Sequence, residues 1–247
     1  MIENAPSAAD PDSQAAKRRA LRDAVATYEP FNEQEAADKP VILHALDTDP
    51  NCFDRSSQAH MACSIWVVDP TATQTLLVYH RIYDSWSWIG GHADGEADLA
   101  AVALRELEEE TGVAHAQLVP CGPGGIYSLE VLTVNGHEKR GRYVSSHLHL
   151  NVTYLAVADP AEPIRAKPDE NKGVRWAPLE DAVRLSTEPW IRTRIYRKLI
   201  DKLERRPGTL FESERKGQAS LARSSTRPVP LPKSDAVPDP CSRITSR

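Results

Sequence analysis

The sequence has 247 residues, of which 40% are hydrophobic and 26% are charged, and its formal net charge at pH 7 is -5. This balance is ordinary for a globular protein and excludes a collagen-like, coiled-coil or wholly disordered chain. The acidic net charge also argues against dedicated nucleic-acid binding, because neutralising phosphates usually requires a basic domain. We therefore expect one globular core, since single domains commonly hold about 100–200 residues.

The predicted cellular location depends on two sequence features, a signal peptide and a membrane-spanning segment. The N-terminal stretch has no apolar signal core, and nowhere do roughly eighteen apolar residues follow one another. The sequence therefore predicts a cytoplasmic protein with no membrane partner. Its four cysteines show neither a close pair nor metal-ligand spacing, so reduced thiols are expected rather than a disulfide framework or a zinc ribbon.

Two helices are predicted before the first strand. Residues 1–12 are small and polar and predict a flexible N-terminus, whereas apolar residues recur at helical intervals from residue 13 onward. A second helix is expected over about 33–46, although Pro40 removes one of its backbone hydrogen bonds. Residues 13–59 are thus predicted to form a helical extension of the main domain.

The main domain is predicted to begin at residue 60, where the pattern changes to strands. Short β-branched and aromatic runs separated by turn residues predict strands in HMACSIWVVD, QTLLVYH and SWSWIGG. A helix is predicted over 99–111. A later strand in VSSHLHLNVTYLAVAD ends in continuous apolar residues, which predicts an interior strand covered on both faces.

The C-terminal third is predicted to close the domain and then to lose its structure. GVRWAPLEDAVRLST predicts a short strand and a helix, and EPWIRTRIYRKLIDKLERR predicts a terminal helix with Trp190, Ile195 and Leu199 on one side. Residues 60–206 are therefore predicted to form one domain. Residues 207–247 are Pro-rich and without apolar periodicity, so a disordered tail is expected.

A run of glutamates stands inside the predicted helix 99–111. Each helical residue advances about 100°, so Glu106, Glu109 and Glu110 share a face beside the apolar stripe, while Glu108 points away. The ordinary interpretation of such a run is an acidic helix face that is exposed to solvent. Here, however, a Gly-rich turn precedes the helix, and Gly112 is suited to ending it. Carboxylates held together on a rigid helix can bind a hard cation such as Mg²⁺, which offsets their repulsion.

Residues 105–113, RELEEETGV, resemble the second half of the Nudix box. The usual form of the box is Gly, five residues, Glu, seven residues, then Arg-Glu-apolar-any-Glu-Glu-any-Gly-apolar. The first half departs from this form, because its glutamate is expected at Ala97 and the nearest acid is Glu96. The box loop is therefore re-spaced, and the resemblance covers about residues 60–206.

The resemblance implies a Nudix fold of the α/β class, a mixed β-sheet sandwiched between α-helices. It also implies hydrolysis of a nucleoside diphosphate linked to another group, with Mg²⁺ or Mn²⁺ as cofactor. Carried over by position, Glu106, Glu109 and Glu110 would hold the divalent ions. The carbonyl of Gly91 would be a further ligand, and Arg105 would orient a glutamate by ion pairing.

A general base is also needed, and two glutamates are candidates. Glu109 would contact a metal-bound water. Glu170 stands in KPDENKGVRW, before a predicted late strand, and the resemblance implies that many Nudix enzymes draw a glutamate from such a loop. A merely solvated loop glutamate is the alternative for Glu170.

Aromatic and histidine side chains near the box are the candidates for binding substrate. Trp86 and Trp88 alternate with serines in a predicted strand and could stack on a nucleobase, with core packing as the alternative for at least one. His92, inside the box loop, is placed to contact phosphate. His147 and His149 share a strand face; a transition metal would need a third ligand that the sequence does not reveal, so a substrate-facing or hydrogen-bonded polar face is preferred for His149.

The sequence thus predicts a Mg²⁺-dependent diphosphate hydrolase whose partner is a small-molecule diphosphate or nucleotide. One alternative is a sanitising nucleoside triphosphatase that releases pyrophosphate. Another is a Nudix-like module that senses a nucleotide without cleaving it. The intact 105–110 run opposes the second alternative, and the re-spaced loop supports it. Specificity resides in loops outside the box, so the substrate is left open.

Overall fold

A computed structural model of the chain describes residues 13–139 and 141–206. The predicted flexible N-terminus, 1–12, and the predicted tail, 207–247, lie outside the described residues. The two N-terminal helices are α1 (Gln14–Thr27) and α2 (Glu33–Thr48). Helix α2 continues through Pro40 because Ile42 and Leu46, which follow it, are buried in the core, and packing offsets the lost hydrogen bond.

The centre of the molecule is an eight-stranded sheet, accompanied by a separate two-stranded hairpin. The strands of the sheet are β1 (Ala59–Val68), β2 (Gln74–His80), β3 (Ser85–Ser87), β4 (Ile89–His92), β5 (Gln117–Leu118), β6 (Ile126–Val134), β9 (His147–Val157) and β10 (Asn171–Pro178). The hairpin consists of β7 (His137–Lys139) and β8 (Arg142–Val144).

The sheet is mixed because one of its pairings is parallel. β1 runs parallel to β9 along its whole length, with Ala59 opposite Leu148 and Val68 opposite Val157. On its other side β1 pairs antiparallel with β2 and β4, and β9 pairs antiparallel with β5 and β6. The buried run at the end of β9 therefore lies inside the sheet, as the apolar pattern predicted.

The two faces of the sheet are covered by different helices. Odd-numbered β1 residues such as Ile65 join one apolar core with α1, α2 and a third helix, α3 (Leu99–Thr111). On the other face Trp66 packs against Tyr196, with ring centroids 5.4 Å apart. Alternation of side chains along the strand separates the two sets. The predicted α/β class with a mixed sheet between helices is confirmed.

The C-terminal elements are α4 (Leu179–Leu185), a π-helical turn (Ile191–Tyr196) and α5 (Arg197–Glu204). The terminal helix was predicted to be continuous, with Trp190 on its buried side. Trp190 is instead exposed, while Ile195 and Leu199 are buried. A π-helical turn adds a residue to the usual repeat, so it turns Trp190 away from the stripe that the later residues form.

A buried ionic network ties α2 to α5 and to β6. Glu35 lies 2.8 Å from Nζ of Lys202 and 3.4 Å from Nζ of Lys198, and it accepts a hydrogen bond from Ser128 Oγ at 2.8 Å. Lys198 also pairs with Glu130 at 2.9 Å. These contacts satisfy charges that would be costly to bury alone.

No helix in the described part of the chain is long and apolar enough to cross a bilayer. The cytoplasmic location stays a prediction.

Candidate active site

Helix α3 positions the glutamates, and its ends are set by local sequence. The side chain of Asp98 caps the N-terminus by accepting a hydrogen bond from Ala101 N at 3.1 Å. Gly112 ends the helix in the left-handed conformation, at φ 79°, where a residue without a Cβ is favoured. Leu99 and Leu107 fix the rotation of the helix by packing into the core.

The rotation of α3 distributes its glutamates as the helical spacing predicts. Glu106, Glu109 and Glu110 line a cavity of about 820 Å³, whereas Glu108 is exposed and lies outside its lining. Glu110 is the most deeply placed, with 5% of its surface exposed. Glu106 is half-buried and Glu109 is exposed. The structure therefore brings together the three carboxylates that the sequence singled out.

Strand β4 and the start of β10 hold two of these carboxylates. A Cβ atom built on Gly91 would lie 2.4 Å from Cδ of Glu106, so the Glu106 side chain rests directly against the Gly91 backbone. Glu110 accepts a hydrogen bond from Nδ2 of Asn171 at 2.8 Å and another from the backbone N–H of Gly90. The glycines of the box loop thus allow a close approach that a side chain would block.

Burial raises the proton affinity of the two inner carboxylates. The pKa of Glu110 rises to about 7, mainly through desolvation, although the hydrogen bond from Asn171 opposes the rise. Desolvation also raises the pKa of Glu106, and the charges of Glu109 and Glu170 add to the effect. Ionising Glu110 at this site costs about 3 kcal/mol more than in water, which a nearby cation would offset.

A lysine links the two candidate bases. Nζ of Lys167 lies 3.3 Å from a carboxylate oxygen of Glu109 and 3.3 Å from one of Glu170, so the loop before β10 is attached to α3. Nε of Arg105 lies 4.0 Å from Oε1 of Glu109 on the same helix. The resemblance implied that Arg105 would orient a glutamate by ion pairing, and Glu109 is the glutamate within this distance. Glu170 lines the cavity together with Glu109.

The re-spaced box loop is held by α1. Oε1 of Glu96 accepts hydrogen bonds from Asp98 N at 2.9 Å and from Nε2 of Gln14 at 3.0 Å, while Gln14 in turn accepts from Ala97 N at 2.8 Å. Glu96 is therefore occupied in joining the N-terminal helix to the start of α3, and it does not line the cavity. Gly95, at φ 87°, allows the turn that this arrangement requires.

The two tryptophans have different surroundings. Trp88 follows the end of β3, lines the cavity and packs edge-on against Tyr196, with ring centroids 5.8 Å apart. Trp86 is outside the cavity lining; it packs edge-on against Tyr79 and lies beneath the guanidinium of Arg175. Of the two predicted base-binding residues, only Trp88 faces the space where a substrate would fit.

Four histidines meet at one end of the cavity. We call them the histidine cluster, and they are His60, His92, His147 and His149. His92 and His149 line the cavity, with their Nε2 atoms 3.1 Å apart. Desolvation, together with the neighbouring imidazoles, lowers the pKa of His149 to about 2. The His149 imidazole is therefore neutral at pH 7.

Comparisons with known proteins agree with this geometry. The family model described as NUDIX domain matches residues 59–199. The chain belongs to the Nudix family. The prediction of a Nudix-type diphosphate hydrolase is thereby confirmed. The comparison with curated proteins returned no significant match.

Three of the solved structures to which the chain is similar are the following. A Caenorhabditis elegans Ap4A hydrolase, in a binary complex, is 19% identical over 58% of this chain and 94% of that chain, with a TM-score of 0.41. The Escherichia coli dihydroneopterin triphosphate pyrophosphohydrolase is 14% identical over 57% and 92%, with a TM-score of 0.44. The NUDIX domain of Shewanella oneidensis NrtR, complexed with ADP ribose, is 19% identical over 65% and 95%, with a TM-score of 0.41.

Several residues of the candidate site were not identified from the sequence. Arg55, before β1, lines the cavity and is bound in a bidentate manner by Asp94, with Nη2 to Oδ2 at 2.6 Å. Lys167 and Asn171 hold Glu109 and Glu110 from the other side. These residues lie far from the box along the chain. Only the positive charge of Arg55 and Lys167 could have suggested a contact with acidic groups.

Proposed function

We propose that the chain is a Mg²⁺-dependent hydrolase, able to use Mn²⁺, that cleaves the diphosphate linkage of a nucleoside diphosphate derivative. The observation that carries this proposal is the convergence of Glu106, Glu109 and Glu110 on one wall of the cavity. Two of them have raised pKa values that a bound cation would reverse. The family assignment gives the reaction class, and these carboxylates are the groups proposed to bind the metal ions that the reaction uses.

The residues present fit a hard divalent cation. Carboxylate and backbone carbonyl oxygens are the ligands that Mg²⁺ prefers, and α3 with Gly91 supplies both kinds. Glu106, Glu109, Glu110 and the Gly91 carbonyl would hold the ions. When bound, the ions polarise the diphosphate and lower the pKa of the attacking water.

The chain's own cations suit the rest of the diphosphate. Arg55 and Lys167 line the cavity and are already paired with carboxylates, so they can exchange part of that pairing for phosphate oxygens. Arg105 orients Glu109 through their ion pair. Either Glu109 or Glu170 accepts the proton of the attacking water, since both line the cavity.

A nucleobase has a candidate platform in the same cavity. The Trp88 indole is half-buried against Tyr196, which leaves part of its surface for stacking. Base stacking on an aromatic side chain is worth about 1–3 kcal/mol. Ser64 and Asn151, hydrogen-bonded to each other at 3.0 Å, supply polar atoms deeper in the cavity lining.

The proposal is tested by a hydrolysis screen with the full-length protein. Nucleotide sugars, dinucleotides, coenzymes and nucleoside di- and triphosphates are incubated with Mg²⁺, with Mn²⁺ or with chelator, and products are read by ³¹P NMR. Hydrolysis of a diphosphate derivative to two monophosphates supports the proposal. Release of pyrophosphate from triphosphates would favour a sanitising enzyme, and nucleotide binding without turnover in either metal would favour a sensing module.

A further inference from the structure

The histidine cluster, His60, His92, His147 and His149, gathers four imidazoles around one point. Four ring nitrogens, one from each histidine, all lie within 4.8 Å of one another. His60 is the most enclosed, with 3% of its surface exposed, and the other three are half-buried. The carboxylate site on α3 does not include any of these four side chains, so the cluster needs an explanation of its own.

Three strands of the sheet create the cluster. In the parallel pairing of β1 and β9, His60 lies directly opposite His149. His147 precedes His149 by two residues and therefore shares its face. His92 ends β4, where it lies opposite Ala62 of β1 and so diagonally across from His60. Strand register therefore fixes the backbone positions of all four histidines.

Hydrogen bonds to backbone carbonyls select the tautomers of two cluster members. Nδ1 of His60 lies 2.9 Å from the carbonyl oxygen of Ser57, and Nδ1 of His147 lies 2.8 Å from that of Ser145. A carbonyl oxygen only accepts, so in each ring Nδ1 carries the proton and Nε2 keeps its lone pair. A second-shell hydrogen bond of this type commonly orients histidines that bind metal through Nε2.

The hydrogen-bonding capacity of two cluster nitrogens, Nε2 of His60 and Nε2 of His149, is not matched by their surroundings. Nε2 of His60 is buried and has no hydrogen-bond partner. Nε2 of His149 lies 3.1 Å from Nε2 of His92 and 3.2 Å from Nε2 of His147. A neutral ring nitrogen has either one proton or one lone pair, so His149 cannot form a full hydrogen bond with both. A cation at the centre would accept the lone pairs together.

We propose that the histidine cluster binds one Zn²⁺ ion. Zinc prefers imidazole nitrogen at about 2.0–2.1 Å in tetrahedral geometry, which separates neighbouring ligand nitrogens by about 3.3 Å. The two Nε2 distances of 3.1 and 3.2 Å are close to that separation. Four protein ligands leave no open position, which is typical of a structural zinc site. Mg²⁺ does not compete, because it requires oxygen ligands.

The position of the zinc site gives it a role in the fold. His92 directly follows Gly91, the residue against which Glu106 rests. A zinc ion would therefore join the end of β4 to β1 and β9. It would also fix the position of the box loop relative to the sheet. The site is structural, and it does not depend on the function proposed for the α3 carboxylates.

The competing explanation is a hydrogen-bonded polar face that contacts substrate. His92 and His149 line the cavity, and such a face would use these two residues alone. Zinc binding also requires His60 and His147, which lie outside the cavity lining. The two explanations therefore differ in what happens when His60 or His147 is changed.

The experiment measures zinc on the full-length protein after removal of any affinity tag. Protein stripped with chelator is dialysed against Zn²⁺ in excess Mg²⁺, and metal content is determined by mass spectrometry together with the thermal midpoint. We expect one Zn²⁺ per chain and a higher midpoint. Co²⁺ in place of Zn²⁺ should give the visible absorption of a four-coordinate nitrogen site.

His147→Gln and His60→Gln should each lower zinc affinity by at least about 100-fold, since even changes to outer-shell partners cost 10–100-fold. His147 is half-buried, so its variant tests the proposal even if the His60 variant fails to fold. His44→Gln and His115→Gln, at exposed positions, are the matched controls and should keep the ion. Stoichiometry well below one, or zinc that both cluster variants retain at unchanged affinity, overturns the proposal.

Discussion

The side chain of Glu106 occupies the space in which Gly91 would carry a Cβ atom, at 2.4 Å from Cδ of the glutamate. This contact joins strand β4, which precedes the box loop, to helix α3, which follows it. The carboxylate is thereby placed beside the carbonyl group that is the proposed further metal ligand. Replacing Gly91 by Ala adds one methyl group at this point. The substitution therefore tests the position of the Glu106 carboxylate without changing its charge.

Gly91→Ala should leave the fold intact and abolish most of the activity. The overlap involves the far end of a flexible side chain, so Glu106 can turn away at little cost in stability. A displacement of about 1 Å can cost about 100-fold in rate. The measurements are kcat with saturating Mg²⁺ and the thermal midpoint of unfolding.

Gly173→Ala is the matched control for this change. A Cβ atom there would lie 3.5 Å from the Trp86 ring, an ordinary contact, and Gly173 is outside the cavity lining. Activity of this variant should stay near that of the parent. If Gly91→Ala retained full activity, the close contact with Glu106 would have no part in catalysis.

The shared contact of Lys167 with Glu109 and Glu170 leads to a prediction about the general base. Glu109 already contacts both Arg105 and Lys167 and belongs to the proposed metal ligands, so we expect Glu170 to accept the proton. Glu170→Gln should lower kcat by about 10²–10⁴ without changing the Mg²⁺ concentration for half-activation. Glu109→Gln should raise that concentration. The reverse pattern would assign the base to Glu109.

Trp88→Ala should raise KM more than it lowers kcat. Stacking on a base is made equally in the bound substrate and in the transition state, so its loss weakens binding by about tenfold or more. The backbone N–H of residue 88, which donates to the Tyr196 hydroxyl at 2.9 Å, is retained in this variant. Trp86→Ala is the control, and its KM should be unchanged because Trp86 does not line the cavity.

The elements predicted correctly are those whose signals are local. Helix α3 begins and ends where predicted because the cap of Asp98, the apolar stripe and Gly112 stand within one short segment. The interior position of β9 also followed from its own apolar run. The three carboxylates of the candidate site were predictable for the same reason, since helical geometry alone relates them.

The features that escaped prediction depend on contacts between distant segments. The histidine cluster requires His60 of β1 to lie opposite His149 of β9, and this parallel register is set by packing of the whole sheet. The π-helical turn before α5 was predicted as regular helix. Arg55 and Lys167 reach the carboxylates only after the chain has folded around them.

The buried network around Glu35 predicts a loss of stability in acid. Burial alone would raise the pKa of Glu35, but the charges of Lys198 and Lys202 outweigh it and hold this pKa below its ordinary value of 4.5. A carboxyl with a lowered folded-state pKa contributes stability above about pH 4.5, and that contribution is lost as pH falls further. Denaturant unfolding at pH 7 and below pH 4.5 measures it.

Glu35→Gln should lose about 3 kcal/mol at pH 7, because buried ammonium groups lose a partner, and its stability should depend less on pH in acid. Glu33→Gln changes an exposed glutamate on the same helix, paired with Arg194 at 2.7 Å, and should lower stability much less than Glu35→Gln, because solvent screens an exposed ion pair. An unaltered acid dependence in Glu35→Gln would show that other carboxyls control it.

The sharpest test of the proposed metal site compares four glutamates on one helix. Changing Glu106, Glu109 or Glu110 to Gln keeps the size of the side chain and removes a charge. Each change should lower activity by orders of magnitude, whereas Glu108→Gln, outside the cavity lining, should have nearly parental activity. The comparison uses kcat/KM measured at several Mg²⁺ concentrations.

The same variants should behave in the opposite way in stability measurements without metal. Burial raises the pKa of Glu106 and Glu110, so removing either charge relieves a cost, and the variants should be as stable as the parent or slightly more so. Added Mg²⁺ should then stabilise the parent more than the variants, because only the parent binds it tightly. Equal damage from Glu108→Gln, or a parent whose melting temperature and activity are both indifferent to chelation, would contradict a metal site on α3.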